Sequence, residues 1–146
     1  MMTAREQQTV TAVDERIVKF LRRHHVLTLA TAADGIPYCA NAFYAYDEKR
    51  NRLIFTSDLS TRHAQEMLSE ARVAASVVLE TRIVGKVQGL QICATAMRGD
   101  EEDKRRYLHR FPYAALAELT LWALTPDYLK FTDNTLGFGK KLIWKA

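Results

Sequence analysis

A hydroxyl, a guanidinium and an imidazole follow one another at Thr61, Arg62 and His63, inside the stretch FTSDLSTRHAQEML at residues 55–68. Ahead of them Phe55, Thr56 and Ser57 end a run of strand-forming residues. After them the spacing of Ala64, Met67 and Leu68 marks one face of a short helix. Free backbone N–H groups at a helix start favour an anion, hydroxyls add donors, and an arginine fork matches two oxygens of a phosphate. The expected guest is a terminal phosphate. The plainer alternative is that Ser60 or Thr61 only caps the helix while Arg62 is a solvated charge.

A second segment with binding chemistry closes the chain. In TLGFGKKLIWKA, Gly137 and Gly139 free the backbone, Lys140 and Lys141 bring positive charge, and Phe138 and Trp144 bring flat apolar faces. It would cover a planar anionic cofactor, or else form a turn before an edge strand with Trp144 at a dimer interface. GFGKK is not a P-loop, which needs a longer glycine spacing and a following Ser or Thr. Other chemistry finds no frame. His24, His25, His63 and His109 fall outside any HExxH or Cys-paired spacing, so no metal site is expected. No Gly-x-Ser-x-Gly occurs, and Cys39 has no His and acid in a recognisable order.

Behind these residues stands a chain of 146 residues with 48% hydrophobic content, which suits one domain over residues 1–146. The net charge of +4 favours anionic ligands, but no basic block of the kind that wraps nucleic acid appears, and nucleic-acid binding is not expected. The polar start MMTAREQQTVTAVDER is unlike a signal peptide, and no run approaches the roughly 20 apolar residues of a membrane helix. A cytoplasmic protein is expected, with Cys39 and Cys93 as reduced, small core residues of strands.

The periodicity predicts an amphipathic helix at about 8–24, with Val10, Val13, Ile17, Phe20 and Leu21 inward. A three-stranded meander follows, turning at Ala33-Asp34-Gly35 and again between Asp47 and Asn51. Val73, Ala75, Val77 and Leu79 alternate as the inward face of a strand, and Gly89 to Met97 reads as another. A helix begins at about Asp100 with Tyr107, Leu108 and Phe111 inward, Pro112 ends it, and a short helix lies near Ala114 to Glu118. LTLWAL and DYLKFT read as strands divided by Thr125-Pro126, and KKLIWK as a last one. Neighbouring strands on short turns give a mostly β protein with peripheral helices, a six- to seven-stranded antiparallel split barrel.

Several segments then resemble a known family. IFTSDLSTRHAQEMLSEARVAASVVL is similar to the cofactor segment of the FMN-binding split barrels, the pyridoxamine 5′-phosphate oxidase superfamily, in which a Tyr-Thr strand end precedes Ser-Arg-Lys-Ala at a helix start. CANAFY, TRHAQ, RRYLHRFP and KFTDNTLGFGKKLIW resemble the YhbP group of small bacterial proteins, and the likeness runs from His25 onward. The resemblance implies a homodimer with FMN between subunits, the phosphate at Thr61 and Arg62, and His63 where the larger family has Lys. It implies backbone and ring contacts from Asn41, Ala42, Phe43 and Tyr44, and more from Phe55, Thr56 and Ser57. Gln88 aligns with a family Gln near the flavin, though a shift of one or three residues would choose Gly89 or Gln91; Lys140 adds charge from the tail.

Two departures qualify that picture. Cys39 and Tyr44 stand where true oxidases carry Arg and Lys, and the tail lacks the Arg- and His-bearing segment that holds the pyridoxal substrate. Pyridoxamine phosphate oxidase activity is therefore not expected. The reading is an FMN-binding oxidoreductase of undetermined substrate, with Tyr44 and His63 as acid or base candidates by position. The alternative is a flavin-free split-barrel module for haem or a protein partner, with His24, His25 or His63 as the axial ligand.

Overall fold

The computed structural model describes residues 12–146. The first helix, α1, runs Glu15–Arg23, and Asp14 caps it by accepting the N–H of Arg16. It is shorter than the expected span of about 8–24. The cap sets the start, Val13 packs on the core from ahead of it, and Val10 lies outside the described residues. His24 is extended and ends the helix.

The meander forms β1 (Val26–Ala33), β2 (Ile36–Asp47) and β3 (Arg52–Thr56). Its first turn places Asp34 at φ 52° and Gly35 at φ 76°, the two positive angles that a two-residue hairpin needs. Then come α2 (Arg62–Ser69), β4 (Arg72–Val78), β5 (Gln88–Arg98) and α3 (Glu101–Arg110), followed by β6 (Leu121–Asp133) and β7 (Lys141–Lys145). A 3-10 turn at Pro112–Leu116 replaces the short helix expected near Ala114 to Glu118. At Gly99 the chains pass so closely that an added Cβ would lie 2.6 Å from the Cβ of Leu121.

All pairings are antiparallel, in the order β3-β2-β1-β4-β5-β6-β7, and a further pairing of β3 with β6 closes the ring. The expected break at Thr125-Pro126 is not a break. Residues 121–124 pair with β3, residues 128–132 pair with β7, and β5 runs along both parts, with a bulge in β6 at Asp127, which has no partner in β5 between the pairs Cys93–Tyr128 and Ala94–Pro126. Proline is tolerated there because the bulge and the exchange of neighbours leave no ladder bond for it to donate.

The barrel interior holds Leu27, Leu29, Leu53, Phe55, Trp122 and Phe131 among others, plugged by Ile17, Phe20 and Leu21 of α1 and by Ala64 and Met67 of α2. Trp144 also packs into this core, away from the surface role that the composition of the tail suggests. A second, smaller cluster of Ala45, Ile54, Tyr107 and Leu121 lies under α3, with Phe111 packed against it. Two expectations about burial fail. Leu68 is 55% exposed, because Glu66 turns inward beside Ala64 and Met67. Cys39 and Cys93 are exposed: they pair in register with Ala30 and Ala74 on the outward face, while the inward face takes Leu29, Ala75 and Ile92.

Candidate functional site

Strand β3 ends at Thr56, and Ser57 continues it by donating its N–H to Thr120 O, just ahead of β6. Trp122 Nε1 donates to Ser57 O at 3.1 Å, so this backbone is held from two sides. Asp58 accepts the N–H of Ser60 and, through its carbonyl, the N–H and hydroxyl of Thr61, which folds the chain into the start of α2. Thr61 is the N-cap and accepts from the N–H of Ala64 at 3.3 Å. The capping alternative is thus correct as far as it goes. It leaves the N–H groups of Arg62 and His63 without an acceptor among the described residues, as a first helical turn must unless something outside it supplies one.

Arg62 is no loose surface charge. Its Nε donates to Glu66 Oε2 at 3.2 Å, and its guanidinium carbon lies 4.2 Å from the centre of the Tyr38 ring. Glu66 is itself fixed by the Thr31 hydroxyl at 2.8 Å, and that bond is the main reason its carboxyl titrates below the usual range. His63 Nε2 lies 2.6 Å from Ser57 Oγ and 3.5 Å from Thr61 Oγ1. Burial lowers the His63 pKa, so the imidazole is neutral near pH 7. Two hydroxyls, one imidazole, one oriented guanidinium and two unclaimed N–H groups therefore share one corner of the barrel. An anion placed there meets two free backbone N–H groups and the outer edge of the Arg62 guanidinium, while the Thr61 hydroxyl already donates to the Asp58 carbonyl and Ser57 is bonded to His63.

The remaining candidates divide by place. Thr56 adjoins this corner and is half-buried. Asn41 faces outward and accepts from the Thr28 hydroxyl at 2.8 Å, Phe43 is exposed and meets Phe111 edge-on, and Ala42 turns inward. Tyr44 and Phe55 have no exposed surface, backbone included, so neither is within reach of a ligand on the single chain. Tyr44 donates its hydroxyl to Leu21 O at 2.7 Å, and burial raises its pKa, which removes it as an acid or base near neutrality. Gln88 accepts from Arg23 and donates to Asp133, whose N–H bonds to the carbonyl of Lys140. Gln88 and Lys140 therefore sit at the end of the 13-residue β6, and Ser57 at its beginning. The single chain does not bring them together.

Sequence reasoning misses Thr31, Tyr38 and Glu66, which orient Arg62. The four-residue step from Arg62 to Glu66 is visible as an ion-pair spacing. Nothing in the sequence links Thr31 to it. Among the described residues no group of three or more His, Cys, Asp or Glu side chains could hold a metal ion, and no helix is long and apolar enough to cross a membrane.

A closed antiparallel barrel with α2 after its third strand and this donor cluster at the helix start defines a split-barrel protein of the pyridoxamine 5′-phosphate oxidase type. Residues 13–133 match the family model described as Pyridoxamine 5'-phosphate oxidase. The chain is 38% identical over 141 residues to the UPF0306 protein YhbP of Escherichia coli O157:H7, covering 94% of this chain and 93% of that one. The chain belongs to this oxidase-like family, in its UPF0306 branch. Its fold is similar to that of a heme binding protein from Mycobacterium smegmatis, with a TM-score of 0.73 at 15% identity over 91% of this chain and 59% of the other. It is also similar to a FAD-binding protein from Mesorhizobium loti, with a TM-score of 0.67 at 16% identity over 80% and 89%.

Proposed function

We propose that the protein is a flavoprotein oxidoreductase that binds FMN, with the phosphate held at the start of α2. The observation that carries this reading is the donor set there: the unclaimed N–H groups of Arg62 and His63, and a guanidinium already oriented by Glu66 and Tyr38. These residues fit a phosphate monoester in both charge and donor count. The bound flavin would supply the redox chemistry, and the protein its binding and orientation. Haem is less well supported, because His63 Nε2 already meets Ser57 and His24 Nε2 is enclosed.

A homodimer belongs to the same reading. Cys39, Ala30, Ala74 and Cys93 stand side by side across four strands on the outward face, and Asn41, Thr28, Ser76 and Gln91 form the next row. Small side chains allow a second copy to approach closely, and only a second copy would carry Gln88 and Lys140 to the α2 corner of its partner. Light scattering should find a dimer that Ala74→Arg splits; an unaltered mass for that variant would place the interface elsewhere. For the cofactor, the protein is incubated with FMN, desalted, and its visible spectrum recorded. About one flavin per subunit is expected, and a colourless protein after loading would overturn the proposal.

A further inference from the structure

A second basic concavity lies apart from the α2 corner and shares no residue with it. It is a cavity of about 820 Å³ bounded by the end of α1, the end of β2 and α3. The segment RRYLHR builds one wall. Residues 102, 105, 106, 109 and 110 recur at steps of three and four and so share a face of α3, while Tyr107 points the other way into the cluster with Ala45, Ile54 and Leu121. Four arginines, Arg22, Arg105, Arg106 and Arg110, line the space with His109, and Glu102 is the one carboxylate of the lining.

Their commitments differ. Arg106 lies 3.1 Å from Asp47 and 3.5 Å from Glu102, and Arg22 pairs with Glu48 at 3.0 Å. Arg110 donates to the carbonyls of Arg22 and His24, which neutralises the negative end of α1 where it borders the cavity. Arg105 and His109 have no partner among the described residues. They stand one helical turn apart, and Arg22 approaches from another element. A single phosphate is satisfied by one arginine fork, whereas cations on two elements around a cavity of this size suit adjacent phosphates on a small molecule. Ala45 contributes only a methyl group to the floor, and Tyr46 keeps its hydroxyl on Asn51, so neither fills the space.

We propose that this cavity binds a soluble small molecule carrying a diphosphate, gripped by Arg105 and His109 with Arg22 and Arg110 beside them. Sodium pyrophosphate is titrated calorimetrically into the full chain at low ionic strength. Saturable binding is expected, tighter than that of orthophosphate, and weakened about tenfold or more in the Arg105→Ala, His109→Ala double variant. In the Arg62→Ala background, where anion binding at the α2 corner is weakened, the pyrophosphate site at Arg105 and His109 should remain, which keeps the two sites distinct. Neither Arg105 nor His109 is buried or paired, so the double variant should fold, with circular dichroism as the check; Arg105→Gln alone, expected to weaken binding in the same direction, serves if it does not. No pyrophosphate binding by the wild type, or undiminished binding by the Arg105 and His109 variants, would overturn the proposal. So would an RNA oligonucleotide that binds through Arg105 and His109 where pyrophosphate does not.

Discussion

Beneath α3, Asp47 and Asp103 have no exposed surface, and each faces two guanidiniums. Asp47 lies 2.7 Å from Arg50 and 3.1 Å from Arg106, and Asp103 lies 2.7 Å from Arg50 and 3.1 Å from Arg52. Asp103 also completes the capping box of α3 with Asp100. At the start of α2 the same vocabulary of hydroxyl, guanidinium and carboxylate is arranged differently. There the carboxylate of Glu66 serves to aim Arg62, and two backbone donors are left facing outward. The first cluster pairs its charges to hold β2, β3 and α3 together. The second uses its one ion pair to orient a donor. What separates a structural polar cluster from a binding one here is which groups remain unpaired.

The sharpest way to break the comparison is to remove a carboxylate from the closed cluster. Asp103→Ala should lower stability by about 3 kcal/mol, since it leaves Arg50 and Arg52 short of a buried partner and opens the α3 cap. Urea denaturation measures this. FMN affinity per folded molecule should stay unchanged; a parallel loss of both would mean that the two clusters act together.

The converse substitution lies in the open cluster. Arg62→Ala should weaken FMN binding by about 2 kcal/mol, the scale of a charged hydrogen bond. Its effect on unfolding should stay under about 1 kcal/mol, because the pair with Glu66 is largely solvent-exposed on the arginine side. Wild-type affinity in a fluorescence titration of this variant would remove the phosphate assignment.

How much of this contrast is legible in the sequence depends on the range of the interactions involved. Asp34-Gly35 announces its hairpin because a two-residue turn is decided by the residues in it. Thr61-Arg62-His63 are legible as a helix start for the same local reason. The inward turn of Glu66 depends on Thr31, 35 residues away, and the continuity of β6 through Pro126 depends on the bulge at Asp127 and on partners in β3, β5 and β7 that are distant in sequence. The outward placement of Cys39 and Cys93 follows from the strand register, and a slip of one residue would reverse it.

A smaller effect sharpens the role of His63. In the free protein burial holds its pKa below the ordinary 6.5 or so, and a phosphate alongside would raise it. Binding would then take up a proton, so FMN affinity should rise as pH falls from about 8 to 6, by up to about tenfold if the bound phosphate lifts the imidazole pKa by about 1. The phosphate titrates in the same range, so the comparison is with His63→Gln, which should lose the imidazole's share of the pH dependence and keep the ligand's own. Superimposable pH profiles would assign His63 a purely structural bond to Ser57.

The smallest effect is expected on the outer side of α2. Helical spacing predicts Leu68 on the inward face, but Glu66 and Met67 hold that side and Leu68 is exposed. Leu68→Ser should therefore cost less than about 0.5 kcal/mol, whereas Met67→Ala, in the barrel plug, should cost about 2 kcal/mol or more. The pair of measurements separates the anchoring side of α2 from its free side. If Leu68→Ser instead destabilises the protein, and does so more strongly on dilution, then a second copy covers this helix and the interface extends beyond the outward strands to the flank of the candidate site.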